Sequence, residues 1–152
     1  MSCKRKLYLA CVTGQKSGAR IIRAAGKILA EGEADASVLS ILPKPPSASE
    51  LEAINYLYSV SSEAGLDMTV LTGEHPVFAT VEYIKKHHVT HVLTGIPDSG
   101  KGGFIDLLSA VLPKVKIITV PQESPMHRND EDRRGAYLNE TSSAMYELLM
   151  AY

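Results

Sequence analysis

Five short apolar runs alternate along the chain with segments whose apolar positions recur every three or four residues. The first run, residues 6–13 (KLYLACVT), is nearly continuous, as in a parallel strand covered on both faces. Behind it come Gly14-Gln15-Lys16-Ser17-Gly18 and a helical pattern from Ala19. Ile21, Ile22, Ala25, Ile28 and Leu29 form one face of that helix, and Arg20, Arg23, Lys27 and Glu31 the other. Gly26 lowers its helix propensity, and close packing on the sheet is the expected compensation.

Residues 36–42 (ASVLSIL) form the second run, stopped by Pro43-Lys44-Pro45-Pro46. Ser47 with Glu50, or Ser49 with Glu52, offers a capping box for the next helix. Its apolar side is Leu51, Ile54, Leu57 and Tyr58, and it stops near Gly65. Residues 67–72 are a third strand. Gly73-Glu74-His75 turns the chain, and Pro76 opens a helix with Val77, Val81 and Ile84 inward. Lys85-Lys86-His87-His88 closes that helix, where positive charge meets the carbonyl end of its dipole. The fourth run, 89–94, leads into a glycine-rich loop and a short helix with Phe104, Leu107, Leu108 and Val111 on one face. Residues 114–120 (KVKIITV) close the series, their alternating lysines marking an edge strand guarded against association.

Strands that alternate with helices require right-handed crossovers and predict an α/β domain. The expected architecture is a five-stranded, mostly parallel sheet with helices on both faces, followed by a C-terminal helix. The ligand crevice of such a sheet lies at the carboxyl ends of the strands, where strand order reverses. If the strand order is 3-2-1-4-5, the turns after strands one and four face each other. After Pro121 the pattern is lost. The division read from the chain is an α/β domain over 1–121, a polar linker over 122–136 and a helix over 137–152. That last helix either covers its own domain or docks on a partner.

Composition removes several classes of function. A net charge of -1 over 152 residues argues against nucleic acid or a membrane surface bound through bulk charge. No apolar run is long enough to span a bilayer, and the basic opening leads into a strand rather than a signal peptide. Cys3 and Cys11 make neither a disulfide framework nor a metal site, so a reducing cytoplasm is the expected compartment and Cys11 a small apolar side chain.

Candidate chemistry concentrates in two turns. Gly95-Ile96-Pro97-Asp98-Ser99-Gly100-Lys101-Gly102 follows a G-x-x-x-x-G-K pattern, but Gly102 stands where Ser or Thr would hold magnesium. This disfavours a nucleoside triphosphatase. It leaves two readings: backbone amides and Lys101 cradling a phosphate, or a plain glycine turn. Thr13, Gly14 and Ser17 precede the first helix, where free N–H groups attract anions and Thr13 or Ser17 can act as N-cap. The S-G-G-x-D-S pattern of nucleotide-alpha-hydrolase enzymes is missing there. The ligand-binding candidates are therefore Thr13, Gly14, Ser17, Gly73, Gly95, Ser99, Gly100, Lys101, Gly102 and Gly103. His87 and His88 read as solvated residues at a helix end and His91 as a strand residue at the edge away from the crevice, rather than a metal cluster, and only His75, beside Glu74, borders the crevice. Glu74 and Asp98 can reach the crevice without forming an acid/base pair. No catalytic residue and no metal ligand is assigned.

Residues 7–13, Ile22-Arg23-Ala24-Ala25, Leu71-Thr72-Gly73-Glu74 and Val89-Thr90-His91-Val92-Leu93-Thr94-Gly95 resemble the universal stress protein family. The closest likeness is to the stress-protein-like domain of bacterial potassium-sensor histidine kinases, and it covers about residues 5–121. The resemblance implies the 3-2-1-4-5 sandwich, often dimeric. Some members bind ATP or another adenine nucleotide and others bind none. In nucleotide-binding members an Asp ends the first strand, and here Thr13 takes that place. Of their G-x2-G-x9-G-[ST] motif, Gly95 matches the first glycine, while Asp98 occupies the second, where its charge repels phosphate. The resemblance suggests a small regulatory, stress-response protein that binds ATP or another adenine nucleotide without turnover. The alternative is a non-liganded homodimeric signalling module, joined through strand five or the final helix. An enzyme hydrolysing a phosphate ester ranks last for want of a base or metal set.

Overall fold

The central position of the first apolar run explains its composition. In a computed structural model, which describes residues 5–95 and 103–121, β1 (Lys6–Val12) pairs with β2 (Ala34–Leu42) on one side and β4 (His91–Gly95) on the other. β3 (Met68–Thr72) and β5 (Lys116–Val120) are the edges, giving the order β3-β2-β1-β4-β5 with every pairing parallel. The expected fold class and strand order hold. The connecting helices are α1 (Ala19–Ala30), α2 (Ala48–Glu63), α3 (Pro76–His87) and α4 (Gly103–Val111).

Side chains of successive strand residues point to opposite faces, so each central strand builds two cores. Leu9, Leu39 and Val92 meet Val81 and Ile84 of α3 and Leu108 of α4. Val38 and Leu93 are as deeply buried as Ile22 of α1 and Leu57 of α2, and α1 packs on β1, β2 and α2.

Local rules set the helix ends. Ser47 and Glu50 form a reciprocal capping box: Ser47 Oγ accepts from Glu50 N–H at 3.1 Å, and Glu50 Oε1 accepts from Ser47 N–H at 2.8 Å. α2 ends at Ala64, and Gly65 takes the left-handed φ of 78° that brings Leu66 N–H to Ser61 O. Pro76 opens α3 as expected. Its close differs, because His88 itself adopts φ 59°, ψ 43° and donates its N–H to Ile84 O.

Several expectations are corrected. α1 is preceded by a 3-10 turn over Lys16–Gly18, and its N-cap is Gly18. Neither Thr13 nor Ser17 caps it, because the extra turn moves the helix start past both. Gly26 packs on α2, not the sheet: an added Cβ would lie 2.9 Å from Ala64 Cβ. β5 starts at Lys116, and Lys114 falls in the turn before it. Leu51 and Tyr58 are exposed, as are Leu107 and Val111, since the inward stripe of α2 runs through Ala53, Ile54, Leu57 and Val60 and that of α4 through Leu108. His91, on its expected strand, is buried because β4 is an interior strand. Among the described residues no helix is long and apolar enough to cross a membrane. The linker expected over 122–136 and the helix expected over 137–152 lie outside the described residues.

Candidate functional site

Where strand order reverses, β1 and β4 are neighbours, and the helices that follow them, α1 and α4, pack on opposite faces of the sheet. The gap they leave is a cavity of about 300 Å³. Its floor comes from Cys11, Val12 and Thr13 of the β1 end, Leu39 and Ile41 of β2, and Thr94 and Gly95 of β4. Its walls are the first turns of two helices, Pro76 and Thr80 of α3 and Phe104 and Ile105 of α4. Thr13 and Gly95, from the two turns expected to face each other, line this one space.

None of these lining side chains carries a formal charge at neutral pH. Burial pushes the Cys11 thiol up to about 12, so it stays protonated and acts as apolar surface. Thr80 Oγ1 donates to Pro76 O at 2.7 Å and is spent within its own helix. Thr13 and Thr94 therefore hold the hydroxyls left for a ligand. The amino ends of α3 and α4 add the partial positive charge of their dipoles. A slot with aliphatic and aromatic walls, two hydroxyls and two helix N-termini at its rim suits a flat, weakly polar group carrying an anionic appendage.

The opposite side of Gly95 meets α1. An added Cβ there would lie 2.9 Å from Arg20 Nη2. The Arg20 guanidinium donates to Ser17 O at 2.7 Å and to Val120 O at 3.3 Å. Helical spacing placed Arg20 on a solvated face. It ties the turn after β1 to the end of β5 instead.

Gly14 packs against Glu50 and Leu42, where an added Cβ would stand 3.0 and 3.1 Å from their atoms, and it does not line the cavity. Ser17 is exposed in the 3-10 turn, and Gly73 follows β3 with its N–H on Leu42 O at 3.0 Å. Gly103 is the first residue of α4, directly before the wall residues Phe104 and Ile105. Ser99, Gly100, Lys101 and Gly102 lie outside the described residues, as does Asp98.

Sequence reasoning passed over Cys11, Thr80, Thr94, Phe104 and Ile105. Strand parity could have found two of them: Cys11 alternates with Thr13, and Thr94 with the core residue Val92. His75 is exposed at the N-cap of α3 and is not a lining residue. His91 lies on the far face, stacked on Tyr8 with ring centroids 4.2 Å apart. Among the described residues no cluster of three or more His, Cys, Asp or Glu side chains could hold a metal.

No protein-family model and no curated protein matches the chain. Solved structures do resemble it. A universal stress protein in complex with cAMP has a TM-score of 0.60 at 18% identity, covering 80% of this chain and 100% of that one. The universal stress protein from Archaeoglobus fulgidus has a TM-score of 0.57 at 13% identity, covering 78% of this chain and 93% of that one. The Archaeoglobus fulgidus protein in complex with dAMP has a TM-score of 0.51 at 11% identity, covering 79% and 98%. The chain thus has the universal stress protein fold.

Proposed function

We propose that this chain is a regulatory protein of the universal stress type that binds an adenine nucleotide between Thr13 and Gly95 and does not turn it over. One observation carries the reading: an uncharged cavity of about 300 Å³ at the reversal point of the sheet, closed by the first turns of α3 and α4. A purine is flat and mostly apolar at its faces, which matches a floor with Leu39 and Ile41 and a wall of Phe104 and Ile105. Structures of the same fold in complex with cAMP and dAMP support that choice of base. The glycines from Gly95 to Gly103, with Ser99 and Lys101, form the phosphate side of this proposal, and Gly14, Ser17 and Gly73 its outer margin.

Thr13 sets the strength of binding. A hydroxyl makes a neutral hydrogen bond to the base, about half as strong as the charge-assisted bond of a carboxylate. Binding without turnover is the part of the proposal that the described lining supports, since its one ionisable group among the described residues is a thiol that stays protonated. A regulatory ligand of this kind reports its own concentration by occupancy.

The test is thermal unfolding with ATP, AMP and cAMP, and with GTP as comparison. A ligand that binds only the folded state raises the midpoint with the logarithm of its concentration. A rise with adenine nucleotides, absent with GTP, supports the reading. A midpoint unmoved by all four overturns it.

A second reading, a homodimeric interaction module in signalling, is favoured by exposed large apolar side chains. Phe78 is 64% exposed, and Val70, Leu71, Leu107 and Val111 are also open to solvent. Sedimentation of the full chain across concentration tests whether it associates.

A further inference from the structure

The two edges of the sheet are built differently. β5 carries Lys116, exposed on its strand, the usual guard against edge-to-edge pairing. β3, with the sequence MTVLT, has no charge and no proline, and its last three residues are exposed. Its hydrogen-bonding direction can be read residue by residue. Asp67 O accepts from Val38 N–H and Gly73 N–H donates to Leu42 O, so the odd-numbered residues of this stretch face β2. Backbone groups alternate in direction along a strand. Met68, Val70 and Thr72 therefore turn their N–H and C=O groups outward, and among the described residues no strand pairs with that side.

Beside this edge runs a groove of about 320 Å³ between β3 and α3, lined by Thr69, Leu71, Glu82, Tyr83 and Lys86 among others. Glu82 and Lys86 are both exposed and one helical turn apart on the same flank. Such a pair is complementary to itself under a twofold rotation: Glu82 of one copy meets Lys86 of the other, and the reverse. Phe78, four residues before Glu82, adds an exposed aromatic to the same flank.

We infer that the outer edge of β3 and the adjoining flank of α3 form a twofold interface with a second copy of this chain. The inference rests on the second reading above, that the chain associates with itself, and names the surface. Antiparallel pairing centred on Val70 joins the two sheets through about six backbone hydrogen bonds, from Val70 to Val70 and from Met68 to Thr72 twice. The twofold axis then stands normal to the sheet, so both α3 helices lie on one face. α3 packs over β2, which puts the two helices about three strand spacings, roughly 14 Å, apart. That gap is too wide for close helix packing. Side chains as long as Glu82, Lys86 and Phe78 reach across it, and the groove gives the partner's Phe78 room. β5 is left with its lysine facing solvent.

The experiment is sedimentation velocity of the full chain from micromolar to submillimolar concentration. Glu82→Lys sets like charges across the seam twice, and the dimer dissociation constant should rise roughly tenfold or more. Glu82→Lys with Lys86→Glu restores opposite charges and should restore the dimer. Val70→Pro removes an outward N–H while sparing the bonds to β2, and should weaken the dimer with the circular dichroism unchanged. A dimer indifferent to Glu82→Lys and Val70→Pro but weakened by Lys116→Glu overturns the β3 seam and leaves self-association standing. A monomer over the whole range overturns both.

Discussion

Tyr8 and His91 are register partners on β1 and β4, and their rings stack at 4.2 Å between centroids with 18° between planes. Thr90 Oγ1 sits 2.8 Å from His91 Nδ1, accepts Leu7 N–H at 3.0 Å and lies 3.1 Å from Leu7 O. The imidazole is thus held between a ring and a hydroxyl network at the amino end of the two central strands.

This burial has a pH consequence. Desolvation first, then the charges of Lys6 and Lys116, lower the His91 pKa to about 4 from an ordinary 6.5. Between those values the unfolded chain binds more protons than the folded one, so stability rises with pH there. The contribution is fully present above about 6.5 and is lost as pH falls toward 4. At about 1.4 kcal/mol per unit the loss is on the order of 3 kcal/mol. His91→Phe keeps the stack on Tyr8 and removes the proton. Urea unfolding from pH 4 to 7 should show a flatter stability profile in that variant than in the parent.

Filling the cavity should separate binding from folding. Cys11 is half-buried on its floor, and Cys11→Phe puts a ring where the base is proposed to lie. The midpoint rise with adenine nucleotides should vanish while the unliganded midpoint stays within a few degrees of the parent. A retained rise would place the nucleotide elsewhere.

Arg20 and Gly95 should be energetically coupled. Gly95→Ala sets a methyl 2.9 Å from Arg20 Nη2 and pushes the guanidinium from Val120 O. Because the obstructed atom ends a flexible side chain, the cost should be small, about 1 kcal/mol. Arg20→Ala should cost a similar amount by loss of its ties to Ser17 O and Val120 O. The double variant should cost less than the two together, as read from denaturant midpoints.

Gly26 and Ala64 oppose two effects of similar size. Alanine at position 26 gains up to about 1 kcal/mol of helix propensity. Its methyl would sit 2.9 Å from Ala64 Cβ at the end of α2, and overpacking of this kind costs about 1–3 kcal/mol. Gly26→Ala should therefore destabilise by about 1 kcal/mol, and adding Ala64→Gly should recover it. Chemical denaturation of the three variants decides the sign.

Elements and their ends were legible because their causes lie within a few residues. The Ser47–Glu50 box, Pro76 at a helix start and the left-handed Gly65 are each set by a span shorter than one helical turn. The parallel α/β layout followed from apolar continuity and right-handed crossovers, and the order β3-β2-β1-β4-β5 from the resemblance to universal stress proteins. Two of the residues that line the cavity, Thr13 and Gly95, were legible too, from their places at the strand ends.

What periodicity could not supply was which distant residues meet. Whether a helical position is buried depends on the neighbouring element, so Leu51 and Tyr58 share the spacing of core residues and stand in solvent. Arg20 joins Val120 across 100 positions of sequence, and Gly26 answers to Ala64 because α1 and α2 lie side by side. The chain by itself determined its strands, its helices and the right hand of their crossovers, since those depend on local preference and on chirality. The cavity walls, the buried His91 and the open β3 edge were decided by tertiary packing, because solvent exclusion at any residue is a property of all the surfaces that close over it.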